Sequence, residues 1–171
     1  NNYGRGGTGG DPVRGEAQDG NCTDNANFYP SADGVPGKMQ MYIWTDPNPD
    51  RDGDFDNGII AHEYGHGISN RLIGPLTTST CMQNSQQPGE GTSDWWALFL
   101  THDPDFTGYP LNNQRIRGMG PYALNASNGA GAGIRTDFYD GDPAVNPQPY
   151  ENLWTYASIA GSAVPHGVGE K

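Results

Sequence analysis

The stretch His62-Glu63-Tyr64-Gly65-His66 matches the pattern H-E-x-x-H. Two histidines four residues apart lie on one face of a helix, about one turn from each other, so both imidazoles can bind one metal ion. The glutamate beside the first histidine can hold a water molecule at the metal and take its proton, as in zinc hydrolases. Because so short a pattern also arises by chance, the surrounding sequence decides its weight.

The residues around this motif predict a helix over 56–73. Asp56 can cap its start, because an Asp side chain accepts hydrogen bonds from the free N–H groups of a first turn. Gly74-Pro75 is a pair that commonly ends a helix. Gly65 and Gly67 lower the helix propensity of the same stretch. We therefore expect a helix of about four turns that presents both histidines on one side.

A zinc hydrolase needs a third protein ligand, and the sequence offers one downstream. The metzincin class would have glycine and histidine where this chain has Ser69 and Leu72, so that class is excluded. Glu90 follows the motif, and on a helix Asp94 would share its face. Asp94 could then accept a hydrogen bond from His62 and fix the ring. An ordinary first-turn helix charge is the alternative role for Glu90, but its pairing with Asp94 and the motif favours the ligand.

Composition limits the partners of the chain. The 171 residues include nine Lys or Arg and 20 Asp or Glu, and the net charge of -11 argues against nucleic acid or an anionic membrane as partner. Hydrophobic residues make up only 33%, whereas 26 glycines and 14 prolines indicate long loops. The sequence contains no apolar run of transmembrane length and does not open on a signal peptide.

Residues 38–44 alternate partly between apolar and polar side chains and predict a strand just before the motif helix. One interpretation is an edge strand that borders a cleft and pairs with an extended peptide; an ordinary internal strand is equally compatible with the pattern. Residues 12–18 predict a second, short strand.

The acidic loop over 46–56 resembles the front of a calcium-binding loop, with Asp50, Asp52 and Asp54 at alternate positions. The closing glutamate of such a loop is absent, because Ile59 stands in its place. Bound Ca²⁺ is therefore one interpretation, and a solvated acidic turn that caps the helix is the other.

A second helix is predicted over 90–102, with its aromatic and apolar residues buried as core. These residues are Trp95, Trp96, Leu98, Phe99 and Leu100. His102 is expected as a cation at the end of this helix rather than as a ligand. His166, close to the end of the sequence, is compatible with an ordinary surface histidine or with a donor to the oxyanion of a tetrahedral intermediate.

Two features depend on where the protein is located. Cys22 and Cys81 could form a disulfide in an oxidising compartment, or could be two separate buried thiols. Asn21 and Asn125 lie in glycosylation sequons, which matter only in a eukaryotic secretory pathway.

Taken together, these segments resemble the fungalysin family of secreted zinc endopeptidases, which are gluzincins distantly akin to thermolysin. The resemblance is carried by segments along nearly the whole chain, namely 17–19, 25–28, 39–44, 62–72, 89–94, 131–135, 146–147 and 166–169. It implies an α+β fold with a thermolysin-like zincin core, a zinc-binding helix beside a small sheet, many loops and an incomplete helical lobe. Residues 1–171 would then be the central part of a single metallopeptidase catalytic domain, with both ends cut from a longer chain.

The resemblance also implies the site. Zinc would be bound by His62, His66 and Glu90, with Glu63 as the base and His166 as the donor to the transition state. The expected substrates are proteins or peptides, the expected location is extracellular, and a propeptide is expected in the full-length protein. Two alternatives stay open: an exopeptidase, and a non-catalytic fragment that binds a metal or a partner.

Overall fold

The computed structural model describes residues 6–73, 81–82, 88–102, 116–124, 131–135 and 137–147. Within these residues the chain forms an α+β arrangement of short strands and two helices. The strands are β1 (Arg14–Glu16), β2 (Ala26–Tyr29), β3 (Lys38–Met41), β4 (Ile43–Trp44) and β5 (Arg51–Asp52), and the helices are α1 (Asn57–Leu72) and α2 (Gly89–Leu100), with a 3-10 turn at Gly53–Phe55. The expected helix beside a small sheet is therefore present.

The expectation of an edge strand over 38–44 is wrong. β3 is the middle strand of a three-stranded sheet, where it pairs in parallel with β1 and antiparallel with β2. The predicted strand also divides at Tyr42, because β4 turns away to pair with β5 in a second sheet. Alternation within a strand says which face is buried but not which neighbours pair with it. The edge strand in this part of the sheet is β2.

Helix α1 begins where the sequence predicts. The Asp56 carboxylate accepts hydrogen bonds from the backbone N–H groups of Gly58 at 3.0 Å and Ile59 at 3.3 Å. It also accepts one from Ala123 at 3.1 Å, which ties a distant loop to the start of the helix. A buried cap of this kind satisfies the free donors of the first turn.

The acidic loop before α1 is organised by hydrogen bonds to its own backbone. Asp52 accepts from the N–H of Asp54 at 3.0 Å and from Gln18 Nε2 at 2.5 Å. Among the described residues, no three acidic side chains of this loop approach one another closely enough to share an ion. These contacts favour the capping turn, and bound calcium stays a prediction that the described residues do not support.

The two glycines of the motif helix are explained by packing. A Cβ atom on Gly65 would lie 3.1 Å from the Ser93 Cα, where α1 and α2 cross. A Cβ atom on Gly67 would lie 2.7 Å from Cζ of Phe28 in β2. The absence of side chains at Gly65 and Gly67 lowers the helix propensity but allows α1 to approach both α2 and the edge strand closely.

The predicted burial of the α2 aromatics is largely wrong. Trp95 is 54% exposed, Phe99 61% and Leu100 52%, and the rings of Trp95 and Phe99 stack on each other at 5.3 Å. Trp96 and Leu98 are half-buried. The buried side of α2 consists of Gly89, Gly91, Ser93, Asp94 and Ala97, because only small residues allow it to lie so close to α1. The helix ends at Leu100, so His102 lies beyond it.

The hydrophobic core lies between the sheet strands and the start of α1. It is built from Ala26, Met41, Trp44, Ile59 and Ala123. Cys22 and Cys81 are both exposed and no disulfide joins them, so neither a bridge nor a pair of buried thiols is present.

Candidate metal centre

Three side chains from the two helices converge on one point. His62 Nε2 lies 3.1 Å from His66 Nε2, one turn along α1. Glu90, in the first turn of α2, places Oε2 3.1 Å from His62 Nε2 and Oε1 3.4 Å from His66 Nε2. The close packing of α1 on α2 at Gly65 is what brings the glutamate to the histidines.

This donor set fits a zinc ion. Tetrahedral Zn²⁺ with bonds of about 2.0–2.1 Å separates neighbouring ligand atoms by about 3.3 Å. The three separations of 3.1, 3.1 and 3.4 Å lie close to that value. Two imidazoles and one carboxylate are also the combination that catalytic zinc sites use, with one position left for water or substrate. Potential ligand atoms of His62, Glu63 and His66 also lie within 4.8 Å of one another, so Glu63 stands next to the same point.

Asp94 fixes the orientation of His62 from behind. Its carboxylate is fully buried, and Oδ1 accepts a hydrogen bond from His62 Nδ1 at 2.5 Å. Arg135 donates to the same carboxylate twice, from Nε at 2.7 Å and from Nη2 at 2.8 Å, and the Tyr139 hydroxyl donates to Oδ2. With His62 Nδ1 held in this way, Nε2 is the nitrogen that points to Glu90 and the metal position.

Sequence reasoning placed Asp94 in this role but missed Arg135 and Tyr139 as its partners. They lie 41 and 45 residues away from it along the chain. No helical or strand spacing relates residues so far apart, and the one available signal was an arginine inside a segment that resembles the family.

The charges around His62 favour a cation. Burial alone would lower the pKa of His62, but its hydrogen bonds to Asp94 and Glu90 raise it to about 9. Burial likewise opposes ionisation of Asp94, yet the bonds from His62 and Arg135 lower its pKa to about 2. The surroundings that stabilise a proton on the imidazole would equally stabilise a divalent metal ion bound to it.

Glu63 lies beside His62 and His66, and one oxygen of its carboxylate is not held by a hydrogen bond within the described part of the chain. It is only 5% exposed, and its Oε2 atom has no hydrogen-bond partner among the described residues. Burial raises the pKa of this carboxyl group. A buried carboxylate oxygen without a partner needs a ligand or water to satisfy it.

His62, His66 and Glu90 open onto a cleft of about 650 Å³. One wall is β2 with the residues next to it, from Asn25 to Phe28, and the floor is the face of α1 that carries the two histidines. Glu63, Glu90 and Arg135 also line this cleft. The two histidines, Glu90, Glu63 and strand β2 thus all line the same cleft.

The sequence profile of the fungalysin metallopeptidases (M36) matches residues 1–170. The chain belongs to the fungalysin family. This membership confirms the resemblance carried by the motif segments, and it agrees with the presence of a side-chain cluster that could hold a metal ion.

Curated relatives of this fungalysin chain come from several fungi. It is 40% identical to "Extracellular metalloproteinase 2" from Arthroderma gypseum and from Trichophyton rubrum, over 99% of the chain and 25% of each relative. It is 41% identical to "Extracellular metalloproteinase mep" from Aspergillus flavus, over 89% of the chain and 23% of that protein. The chain thus spans about a quarter of the length of the relatives that it matches.

Two expectations concern other parts of the molecule. His166 lies outside the described residues, so its place relative to the cleft stays a prediction. None of the helices described for this fungalysin chain has the length and apolar character needed to cross a membrane.

Proposed function

We propose that this chain is part of a secreted zinc endopeptidase that hydrolyses peptide bonds in proteins or peptides. The observation that carries the proposal is the convergence of His62, His66 and Glu90 at 3.1–3.4 Å, next to the buried Oε2 atom of Glu63, which has no hydrogen-bond partner among the described residues. In it, the two histidines and Glu90 hold zinc, Glu63 is the base, and Asp94 fixes His62. The names of the relatives support the extracellular location and the proteolytic activity.

Zinc held by His62, His66 and Glu90 would polarise the substrate carbonyl and lower the pKa of a bound water to about 7. Glu63 supplies the proton transfer: its free oxygen takes the proton of the attacking water and later gives it to the leaving amine. Burial suits this role, because the raised pKa of Glu63 makes the carboxylate a stronger base than an exposed glutamate. His166 keeps the role that the family resemblance implies, as a donor to the oxyanion.

An extended substrate fits the wall of the cleft formed by β2. Among the described strands β2 pairs with β3 alone, so its other edge can add a substrate strand by main-chain hydrogen bonds. The edge strand that pairs with an extended peptide, first expected at residues 38–44, is therefore proposed at Ala26–Tyr29. Added substrate of this kind can extend to both sides of the zinc ligands, which favours internal cleavage over removal of terminal residues.

Glu63→Gln tests the assignment. The amide keeps the size of the side chain but cannot take a proton, so the variant should bind zinc as the parent chain does and lose proteolysis by at least about 100-fold. A zinc-loaded Glu63→Gln variant with normal proteolysis would exclude Glu63 as the base. Cleavage of peptides blocked at both ends separates this proposal from an exopeptidase, and a zinc-loaded protein that cleaves no substrate would favour the non-catalytic alternative.

A further inference from the structure

We propose that Tyr139 is a positioning residue for the metal centre, which acts through Asp94 on His62. The inference rests on the proposed function, because it concerns the affinity of the same site for zinc. Tyr139 is not one of the three side chains proposed to hold zinc. Its hydroxyl donates a hydrogen bond to Oδ2 of Asp94, and Asp94 accepts from the ring of His62 through Oδ1.

The hydroxyl completes the set of donors around a fully buried carboxylate. Arg135 uses both oxygens of Asp94, and His62 uses Oδ1, so Tyr139 supplies the second bond to Oδ2. A carboxylate with each oxygen bonded twice cannot rotate about its Cβ–Cγ bond without losing several charge-assisted hydrogen bonds. Asp94 in turn determines the tilt of the His62 ring and hence the direction of Nε2.

The backbone of Tyr139 is anchored independently of this hydroxyl. Its N–H donates to the Arg117 carbonyl at 2.8 Å, and the Arg117 N–H donates back to the Tyr139 carbonyl at 3.3 Å. The Arg117 guanidinium donates to Leu98 O at 2.8 Å and to Thr101 Oγ1 at 2.6 Å, at the C-terminal end of α2. The Arg117–Tyr139 pair is therefore fixed to the same helix that carries Glu90 and Asp94. The Tyr139 hydroxyl thus keeps its position relative to Asp94 if α2 moves.

Tyr139 differs from Arg135 in one useful respect. Arg135 lines the cleft, so a substitution there could change substrate contacts as well as Asp94. Tyr139 is not among the described residues that line the cleft, and its hydroxyl interacts with Asp94 and with the Arg135 side chain, so its effect on the site passes through these two residues. Removal of the hydroxyl should change zinc affinity and leave substrate affinity as it was.

The test compares Tyr139→Phe with a matched variant, Tyr122→Phe. Both changes remove one hydroxyl from a half-buried tyrosine, but the contact of Tyr122 is made by its ring, with Arg51 at 4.8 Å. Zinc dissociation constants are measured on the 171-residue chain by competition with a chromogenic chelator. Loss of a partner of this kind commonly weakens metal binding 10- to 100-fold, and we expect about tenfold for Tyr139→Phe and less than twofold for Tyr122→Phe.

Two further readouts separate positioning from general damage to the fold. The melting temperatures of the zinc-free variants should match each other to within a few degrees. At saturating zinc, the KM of Tyr139→Phe for a peptide should equal that of the parent chain. An unchanged zinc affinity in Tyr139→Phe would overturn the inference and leave the proposed function intact, whereas a parent chain without zinc affinity would overturn both.

Discussion

Replacement of Asp94 by asparagine should destabilise the zinc-free chain strongly. The substitution keeps the shape of a side chain that is fully buried, but it removes the negative charge that pairs with the guanidinium of Arg135, a side chain only 8% exposed. Removal of one member of a buried ion pair typically costs about 3–5 kcal/mol, because the remaining charge is uncompensated. The amide would also turn an N–H donor toward His62 or Arg135, both of which donate.

The pKa of Asp94 gives a second measure of the same effect. Its fall from 3.8 to about 2 in the folded chain corresponds to roughly 2–3 kcal/mol, at 1.36 kcal/mol per pH unit. Because the folded pKa is lower than the unfolded one, this stabilisation is fully present above about pH 4. It is lost as the pH falls through about 2, where Asp94 becomes protonated in the folded chain as well.

Urea unfolding of the zinc-free chain at pH 7 measures the change, with Glu16→Gln as control. Glu16 pairs with Lys38 at 3.5 Å in a partly exposed position, so the same loss of charge there should cost about 0–1 kcal/mol. For Asp94→Asn we expect a loss of about 2–5 kcal/mol, which shrinks as the pH is lowered from 4 toward 2. A loss no larger than that of Glu16→Gln would refute the account of Asp94 as the centre of a buried charge network.

Three other perturbations have expected outcomes. In the zinc-free chain the pKa of His62 is raised from 6.5 to about 9, so its stabilising contribution is complete below pH 6.5 and lost as the pH rises through 9. The free energy of unfolding should therefore fall by on the order of 3 kcal/mol over this pH range. The same decrease should be absent from His62→Gln. Gly65→Ala should place its Cβ 3.1 Å from the Cα of Ser93 and weaken zinc binding by forcing α1 and α2 apart; the packing cost of about 1–3 kcal/mol is partly offset by about 1 kcal/mol of regained helix propensity. Tyr64→Ala, at an exposed position of the same helix, should leave zinc affinity unchanged. Asp56→Ala should lower the melting temperature by the equivalent of about 1–2 kcal/mol, because three backbone N–H groups lose their acceptor; a loss below 0.5 kcal/mol would contradict the capping role.

The features that were predictable from the sequence are those set by local spacing. The cap at Asp56 and the limits of α1 follow from residues within one turn of each other, and the helix was expected over 56–73 and found at Asn57–Leu72. The distance between His62 and His66 follows from the helical repeat. Glu90 and Asp94 could be paired for the same reason, although what each binds required a guess about how two helices meet.

What could not be predicted depends on contacts between distant parts of the chain. Whether β3 lies at the edge or in the middle of its sheet is decided by its pairing with β1 and β2. The alternation of apolar and polar residues within β3 carries no information about these neighbours. Trp95 and Phe99 are exposed because the opposite side of α2, which carries the small residues, is the side that packs against α1. Arg135 hydrogen-bonds Asp94 across 41 residues of sequence, a contact that no local spacing predicts.

The most direct test of the central claim is the amount of zinc bound per chain, measured by elemental analysis after loading and dialysis. We expect one zinc ion in the parent chain and in Glu63→Gln, and a large loss in Glu90→Ala, because the proposed site uses Glu90 and not Glu63 as its third ligand. No zinc in the parent chain, or a full complement in Glu90→Ala, would contradict a site built from His62, His66 and Glu90.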